Sequence, residues 1–312
     1  MKRVVVSGAT SMVGVALIEE CIKHDVQVMA LVRKNSKKID RLPKSNYIEI
    51  VECDLCDMKN YVSDSFDFDV FYHLGWSNTD KEGRNDARRQ LENINYSLAA
   101  LDLAVRLGCK KFIGAGSQAE YGIHWDQKTG ANSKLDPQDA YGICKAAAGK
   151  LCSLEAEKRK IDFFWVRIFS LFGKYELPGT LIQTTLPKML RDERCSFTEG
   201  IHEWDYLYSA DAGEAFYLIG EKARGNKVYC LGSGKSYPLR QYIQDMKTAI
   251  GSKSELGFGD IPYGNGLPKG MCADITDLQQ DTGWKPKTTF CEGIIKEVDR
   301  LSSKIAKEVT EK

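Results

Sequence analysis

The residues of this sequence that point most directly to a chemical reaction are a tyrosine and a lysine four positions apart. Tyr141 and Lys145 follow Pro137 at the start of a segment with helical periodicity, so their side chains share one face of the predicted helix. A neighbouring ammonium lowers the pKa of a phenol, which lets the phenol give a proton to a carbinol oxygen, or take one from it, as hydride moves. Taken alone, the spacing also fits an unreactive surface pair.

Two polar residues in other segments are predicted to complete this acid–base group. Ser117 lies in a glycine-rich turn after a predicted strand, where its hydroxyl would hold the same substrate oxygen as Tyr141. Asn95 lies inside the preceding predicted helix and would support a water or a backbone contact near Lys145. We therefore predict Ser117, Tyr141 and Lys145 as catalytic residues, and Asn95, Tyr141 and Lys145 as contacts of the cofactor.

A loop near the beginning of the sequence has the glycine spacing of a dinucleotide site. Residues 4–14 predict a strand, a tight turn and the start of a helix, in which Gly8 permits the turn and Gly14 lets the helix pack closely on the strand. Backbone N–H groups at a helix N-terminus are free donors at the positive end of the helix dipole, and they suit a pyrophosphate. A βα turn can also need glycine without any ligand. The loop residues predicted to contact the cofactor are Gly8, Thr10, Ser11, Met12 and Gly14.

The end of the second predicted strand indicates which dinucleotide binds. An NAD site usually has an acidic residue about 20 residues beyond the loop, where it binds the ribose 2′-hydroxyl, but residues 26–39 contain none. Arg33 and Lys34 stand there instead, with Lys37 and Lys38 close behind. A planar guanidinium pairs well with phosphate oxygens, so we predict NADP(H), with NAD the less favoured cofactor. A solvated basic loop would have the same composition.

The elements that must position these residues alternate between strands and helices. Runs that are apolar on both faces predict buried parallel strands at residues 4–7, 26–32, 47–51, 70–74, 112–116 and 163–169. Helical spacing predicts helices at residues 12–23, 88–107 and 141–160. This alternation predicts an α/β fold, namely a Rossmann-type doubly wound parallel sheet with right-handed crossovers.

The last part of the chain lacks this alternation. Glycine and proline clusters, such as Pro178-Gly179 and residues 262–270, divide it into short elements. It is therefore predicted to form a smaller, loop-rich substrate-binding domain over the carboxyl edge of the sheet. The predicted dinucleotide-binding domain comprises residues 1–169 and part of 205–231, and the predicted substrate-binding domain comprises residues 170–204 and 232–312.

Composition argues against several classes of function. The 44 Lys and Arg nearly balance the 43 Asp and Glu, and no basic stripe is present that would suit nucleic acid. There is no run of about 18 apolar residues to span a membrane and no signal-peptide pattern, so we expect a cytoplasmic protein. The ten cysteines are interpreted as free thiols of a reducing compartment. Cys53 and Cys56 lack a second pair of ligands for zinc, so no metal is predicted.

Several motifs together resemble the extended short-chain dehydrogenase/reductases of the NAD-dependent epimerase/dehydratase family. They are the loop 8–14, Asn95, Gly-Ser-Gln-Ala-Glu-Tyr-Gly at 116–122, Tyr141 with Lys145, and the segments 166–169, 204–211 and 276–286. The resemblance covers nearly the whole chain. It departs from the family pattern at Ser11, where the family has a central loop glycine, and we expect the loop to adapt rather than to lose binding.

The resemblance implies roles for further residues. Asp54 and Leu55 would contact the dinucleotide, and the segment Leu74-Gly75-Trp76 would lie beside it. Ser117, Tyr141 and Lys145 would form the catalytic triad. The second domain would hold a nucleotide-sugar, and two copies of the chain would form a homodimer through the helices at 88–107 and 141–160.

Candidate substrate contacts come from both predicted domains. Trp204 would stack on a nucleobase or a sugar, although an aromatic residue at that position also suits the core. His124 and Trp125 would overhang the cleft or lie in a surface loop. The predicted substrate-binding residues are Gln118, Ser170, Leu181, Trp204 and Arg224.

The residues after Ser117 bear on which reaction is catalysed. The family's 4,6-dehydratases carry an Asp-Glu acid–base pair there, whereas Gln118 and Ala119 cannot do acid–base work, which disfavours dehydration. Segments 116–122 and 204–215 are most similar to reductases of nucleotide-linked 4-keto-6-deoxysugars, including abequose-type synthases. The resemblance thus implies hydride transfer from NADPH to C4, with Tyr141 protonating the oxygen. The alternatives are a nucleotide-sugar 4-epimerase with tightly bound NAD and an NADP(H)-binding redox sensor without turnover, although the intact Ser117, Tyr141 and Lys145 set argues against a sensor.

Overall fold

The computed structural model describes residues 1–122, 128–264 and 270–310, with the backbone alone for 302–310. The strands in these ranges are β1 (Arg3–Ser7), β2 (Gln27–Val32), β3 (Ile48–Glu52), β4 (Val70–His73), β5 (Lys111–Ser117), β6 (Asp162–Ile168), β7 (Ser170–Phe172), β8 (Cys195–Phe197), β9 (Glu203–Trp204), β10 (Tyr206–Tyr208), β11 (Asn226–Leu231), β12 (Tyr237–Pro238) and β13 (Leu256–Phe258). The α-helices are α1 (Met12–Lys23), α2 (Ala87–Arg106), α3 (Ala140–Arg159), α4 (Leu181–Met189), α5 (Ser209–Lys222), α6 (Leu239–Ala249), α7 (Thr276–Thr282) and α8 (Phe290–Thr310). Short 3-10 helices lie at Ile39–Arg41, Gly83–Asn85 and Gln118–Tyr121.

Seven strands form one parallel sheet in the order β11-β6-β5-β4-β1-β2-β3. At its centre, Val4 of β1 lies opposite Val28 of β2 on one side and Val70 of β4 on the other. The order of the strands reverses between β1 and β4, which opens a crevice at their carboxyl ends. The predicted Rossmann-type doubly wound sheet is confirmed.

Helices cover both faces of the sheet because the buried residues of each strand alternate between two cores. Val4 and Val6 of β1 belong to the core that the sheet shares with α1 and α5, and Val5 belongs to the core shared with α2 and α3. The indole of Trp165, on β6, fills part of the second core. A Cβ atom on Gly149 of α3 would lie 2.8 Å from that indole, so this glycine lets α3 lie directly against the sheet.

The remaining elements form a third core beside the carboxyl edge of the sheet. Phe172 of β7 packs there with Ile182 of α4, Ile243 of α6 and Ile294 of α8. Helix α7 packs instead with the core of the sheet and α5, so the segment 232–312 contributes to two cores. The division into two domains at the boundaries given above stays a prediction. Within the ranges that the structure describes, no helix is both long enough and apolar enough to cross a membrane.

Candidate active site

A cleft of about 1320 Å³ opens at the carboxyl ends of the central strands. The loops after β1 to β5 line one side of it, and residues 175–180, between β7 and α4, line the other side with Trp204 and Met271. Open parallel sheets bind their ligands at this position. The predicted cofactor residues that line the cleft are Gly8, Thr10, Ser11, Met12, Arg33, Asp54, Leu55, Leu74, Gly75, Trp76, Tyr141 and Lys145.

The glycine loop after β1 is shaped by close backbone approaches. Gly8 has a φ of +69°, and a Cβ atom there would lie 2.6 Å from the backbone nitrogen of Gly75. Gly14 lies beneath the loop, where a Cβ atom would come within 2.8 Å of the carbonyl oxygen of Ala9. These glycines are required by the turn and by the packing of α1 on β1. Because the loop backbone faces an open cleft, the loop fits a bound pyrophosphate.

Ser11 takes the place of the family's central glycine without backbone strain. Its φ of −73° and ψ of 165° lie in the extended region that any residue adopts. Its side-chain oxygen accepts the backbone N–H of Gly14 at 3.0 Å and so caps α1. Its own N–H donates to the carbonyl of Gly8 at 2.9 Å. Compared with glycine, Ser11 therefore restricts the backbone of the loop and adds a side-chain cap to α1.

Three cations surround the part of the cleft beyond the end of β2. Arg33, Lys38 and Arg41 line it, and among the described residues none of the three forms an ion pair with a carboxylate. Partial burial, and then the charges of Arg41 and Arg33, lower the pKa of Lys38. Lys34 does not line the cleft, and Arg41 was not predicted. Cations without a carboxylate partner suit a bound anion.

The segment after β3 carries both cysteines of the Cys-x-x-Cys motif. Cys53, Asp54, Leu55 and Cys56 all line the cleft, and a carboxylate oxygen of Asp54 accepts the N–H of Leu55 at 2.7 Å. Burial raises the pKa of Cys53 to about 11, and burial followed by the charge of Asp57 raises that of Cys56. Both thiols are therefore protonated at neutral pH and poorly nucleophilic.

The three predicted catalytic residues lie in the same cleft. Ser117 ends β5, and Tyr141 and Lys145 lie in the first turns of α3. The ammonium of Lys145 donates to the carbonyl of Ala115 at 2.5 Å, and burial lowers its pKa to about 7. Burial raises the pKa of Tyr141, opposed by a hydrogen bond with Ser117 and by the charge of Arg84. The phenol is thus held in its protonated form, as a proton donor requires.

A buried ion pair fixes the backbone of Ser117. Glu120 is fully buried; its carboxylate accepts the N–H of Ser117 at 2.9 Å and the indole N–H of Trp165 at 2.9 Å. It also pairs with Arg167 of β6, whose Nε lies 2.8 Å away. Neither Glu120 nor Arg167 was predicted to have a role. Each is a charged residue in an otherwise apolar or glycine-rich segment, and this pattern could have indicated a buried ion pair.

Glu120→Gln should destabilise the fold by about 3–5 kcal/mol, because it leaves the guanidinium of Arg167 buried without its counter-ion. Urea unfolding measures this change. The matched control is Glu155→Gln, which breaks an exposed pair with Lys158 and should have little effect. Equal unfolding midpoints for the two variants would contradict a structural role for Glu120.

The structure corrects the prediction for Asn95. Asn95 is exposed on the outer side of α2, whereas Asn93 is buried. A side-chain oxygen of Asn93 accepts the N–H of Ser77 at 2.8 Å, which fixes the chain just after β4 beside the cleft. Two positions along a helix turn a side chain by more than half a turn, so Asn93 is the asparagine that faces the sheet and holds Ser77, which lines the cleft.

Three predicted substrate contacts are not among the residues that line the cleft. Leu181 lines a separate cavity of about 280 Å³ between α4 and β8. Arg224 donates to the carbonyl oxygens of Glu221 and Ala223, at 3.2 and 2.9 Å, before the amino end of β11 and so at the opposite edge of the sheet. Ser170 lies beside the cleft, but its hydroxyl points to the sulfur of Met271 at 3.8 Å. His124 and Trp125 lie outside the described residues.

Gln118 and Trp204 do line the cleft, together with Glu176, which was not predicted. Each of the three holds a buried polar atom without a hydrogen-bond partner in the structure: Oε1 of Gln118, Nε1 of Trp204 and Oε2 of Glu176. Buried polar atoms normally have partners. These polar atoms are therefore available to a polar ligand in the cleft.

A parallel sheet with a glycine loop at its switch point, and a serine, tyrosine and lysine in the same cleft, is the arrangement expected of a dinucleotide-dependent oxidoreductase. The model of the NAD dependent epimerase/dehydratase family matches residues 4–232. The chain belongs to this family, and it is an NAD(P)-dependent enzyme of the extended short-chain dehydrogenase/reductase type.

Similar proteins carry different activities in their names. The chain is 22% identical over 313 residues to an Escherichia coli dTDP-4-dehydro-6-deoxyglucose reductase (96% of this chain and 98% of that protein). It is 23% identical to a Mus musculus dTDP-D-glucose 4,6-dehydratase (96% and 88%). The fold matches that of a UDP-N-acetylglucosamine 4-epimerase from Methanobrevibacter ruminantium M1 in complex with UDP-N-acetylmuramic acid, with a TM-score of 0.87, 22% identity and coverage of 97% and 99%.

Proposed function

We propose that this protein catalyses the NADPH-dependent reduction of the C4 keto group of a nucleotide-linked 4-keto-6-deoxysugar. The observation that carries the proposal is the combination, in one cleft, of the phenol of Tyr141, whose pKa is raised by burial, with the cations of Arg33, Lys38 and Arg41, which form no ion pair with a carboxylate among the described residues. The first is a proton donor for a developing alkoxide. The second matches a 2′-phosphate, the group that distinguishes NADPH from NADH.

The residues present fit NADPH along the whole cleft. The backbone of Gly8 to Met12 and the N-terminus of α1 would hold the pyrophosphate, and Asp54 and Leu55 would contact the adenosine half. Arg33 would pair with the 2′-phosphate, with Lys38 and Arg41 beside it. NADPH supplies the hydride when bound. Lys145 and Trp76 lie at the other end of the cleft, where the nicotinamide half would be placed.

The chain's own contribution to the reaction is a proton and its positioning. Ser117 would donate a hydrogen bond to the C4 oxygen, and Tyr141 would transfer its phenolic proton to that oxygen as the carbonyl is reduced. Gln118 stands where a dehydratase needs a carboxylic acid, and an amide does not transfer protons at neutral pH. This supports reduction over elimination of water.

The sugar half of the cleft supports a polyhydroxylated substrate. Hydroxyl groups both donate and accept hydrogen bonds, so a deoxysugar would satisfy the unpartnered oxygens of Gln118 and Glu176 and the unpartnered indole N–H of Trp204.

Glu176→Gln should raise the KM for the sugar several-fold more than it lowers kcat, because the contact is made equally in the ground and transition states. Steady-state kinetics with the nucleotide sugar varied at saturating NADPH measures this split. A fall in kcat alone would contradict it.

A 4-epimerase is the second candidate, favoured by the fold match to the 4-epimerase from Methanobrevibacter ruminantium. An epimerase must reoxidise its own cofactor and therefore retains it, whereas a reductase releases it after each turnover. Native mass spectrometry of the purified protein separates the two, because stoichiometric bound NAD⁺ would favour the epimerase.

We also infer that the protein is a homodimer through α2 and α3. Leu91 on α2 and Ile143, Leu151 and Leu154 on α3 are 42–56% exposed on these adjacent helices. Exposed apolar side chains gathered on two adjacent helices support an interface there. Leu151→Glu/Leu154→Glu should therefore elute as a monomer in size-exclusion chromatography with light scattering. The control is Leu190→Glu, which changes an exposed leucine at the C-terminal end of α4. This variant should have the same molar mass in solution as the unmodified protein. A monomeric unmodified protein would contradict the inference.

A further inference from the structure

Two aromatic rings lie between two cations in a chain of contacts that includes Tyr141 and Lys145. The ammonium of Lys145 lies 3.8 Å from the centroid of the Trp76 ring. The Trp76 ring meets the Tyr141 ring edge-on, with centroids 5.9 Å apart and planes at 78°. The guanidinium carbon of Arg84 then lies 4.2 Å above the Tyr141 ring. Arg84 has no role in the reaction described above, and all four residues line the cleft.

The second cation reaches Tyr141 from a different part of the chain than Lys145 does. Arg84 lies in the short 3-10 helix that follows β4. Its Nη2 lies 3.6 Å from a carboxylate oxygen of Asp139, and the other carboxylate oxygen of Asp139 accepts the N–H of Gly142 at 2.6 Å and caps α3. Arg84 thus joins the loop after β4 to the first turn of the catalytic helix.

Arg84 is the nearer of the two cations to the centroid of the Tyr141 ring. The ammonium of Lys145 lies 5.8 Å from the centroid of the Tyr141 ring and is held away from it by the carbonyl of Ala115 and the face of Trp76. A guanidinium is planar and weakly hydrated, so it stacks on an aromatic face more readily than an ammonium does. Its charge stabilises the phenolate more than the neutral phenol.

We propose that Arg84 is a positioning residue for Tyr141, which fixes the plane of the ring and sets how readily the phenol gives up its proton. Arg84 acts through Tyr141 and not on the substrate itself. The charged and polar groups that face Tyr141 are Arg84 from the loop after β4, Lys145 and Asp139 from α3 and its cap, and Ser117 and Glu120 from β5 and the turn after it. Only the part of this proposal that concerns turnover rests on the proposed function.

Arg84→Met tests the proposal by removing the charge and the planar group while keeping the chain length. The titration of Tyr141 is followed by fluorine NMR of protein labelled with fluorotyrosine, and its resonance is assigned as the one lost in Tyr141→Phe. Loss of a cation disfavours the phenolate, so the pKa of Tyr141 should rise by about one unit, the lower end of the effect of a neighbouring charge. In the reductive direction the protonated phenol is the active form. The pH at which kcat falls on the alkaline side should therefore rise by the same amount.

Two further variants test whether the shift of the Tyr141 pKa depends on the contact between Arg84 and the Tyr141 ring. Arg84→Lys keeps the charge without the planar fork, so its titration should lie between those of the unmodified protein and Arg84→Met. Arg89→Met removes an equal charge from the start of α2, where Arg89 pairs with Asp86, and should leave the titration of Tyr141 unchanged. The Kd of NADPH should be the same in all three variants.

Either of two results would overturn the proposal: an unshifted Tyr141 resonance in Arg84→Met, or an equal shift in Arg89→Met. If Arg84→Met does not fold, a titration of Arg84→Lys identical to that of the unmodified protein would overturn it as well. A shifted titration without any turnover of a 4-keto sugar would instead support the role of Arg84 and contradict the proposed reaction.

Discussion

Tyr141→Phe should lower kcat for reduction of the nucleotide-linked 4-keto sugar by roughly 10²–10⁴-fold, the usual contribution of a positioned acid. The variant removes one oxygen atom at the end of a ring that stays packed between Arg84 and Trp76. The affinity for NADPH should therefore stay near that of the unmodified protein. The measurements are the rate of NADPH oxidation at saturating substrate and the Kd of NADPH by fluorescence titration.

Tyr47→Phe is the matched control for this change. Tyr47 donates a hydrogen bond to Asp25 on the protein surface, far from the cleft, and its loss should leave kcat unchanged. Turnover in Tyr141→Phe comparable to that of Tyr47→Phe would remove Tyr141 from the mechanism. A loss of NADPH affinity parallel to the loss of turnover would show instead that the ring serves binding.

Arg33→Gln/Lys38→Gln should weaken NADPH binding by roughly 10–100-fold and leave NADH binding nearly unchanged. The reason is that both cations line the cleft beyond β2 without a carboxylate partner, and a hydrogen bond to a charged group contributes about 1.5–3 kcal/mol. The 2′-phosphate is the only group that NADH lacks. The ratio of the two Kd values, measured side by side by isothermal titration calorimetry, reports this contact directly.

The same stretch of chain offers a control with an identical charge change. Lys34→Gln/Lys37→Gln removes two cations from residues that do not line the cleft, so the Kd of NADPH should change by less than about threefold once the general electrostatic attraction is screened by salt. Equal losses in the two double variants, or a preference of the unmodified protein for NADH, would contradict the NADPH assignment.

The strands of the sheet could be predicted from sequence because parallel strands are buried on both faces. Runs such as Val4-Val5-Val6 and Phe163-Phe164-Trp165 have no polar face, which is the signature of a strand covered by helices on both sides. The ends of the six predicted strands lie within one residue of the observed ends. The seventh strand, β11, contains Asn226 and Lys227 at an edge of the sheet and lacks that signature.

Residue types and spacing predicted which segments line the cleft, but they did not predict the direction in which each side chain points. Asn93 and Asn95 differ by two positions on α2, and only packing against Ser77 decides which one faces the sheet. Leu181 and Arg224 were predicted as substrate contacts, but their local contacts direct them to a separate cavity and to backbone carbonyls. A sequence pattern predicts the region of the fold in which a residue lies, whereas the direction of its side chain depends on its tertiary contacts.

Three of the cleft residues that sequence reasoning missed come from segments without regular periodicity. Arg41 and Arg84 lie in short 3-10 helices, and Glu176 lies in the loop between β7 and α4. Each reaches the cleft only because the tertiary fold brings its segment over the carboxyl edge of the sheet. No local rule relates their positions to those of Gly8 or Tyr141, so composition and spacing could not assign them to the site.

The most direct test is a single-turnover reaction with NADPH that carries deuterium at the transferred position of the nicotinamide ring. The test substrate is dTDP-4-keto-6-deoxyglucose, a nucleotide-linked 4-keto-6-deoxysugar that a 4,6-dehydratase produces. The product sugar is analysed by mass spectrometry and NMR. We expect one deuterium at C4 of the product and none at any other carbon. An unlabelled product, or conversion that proceeds without added NADPH on protein that already holds NAD⁺, would contradict the account.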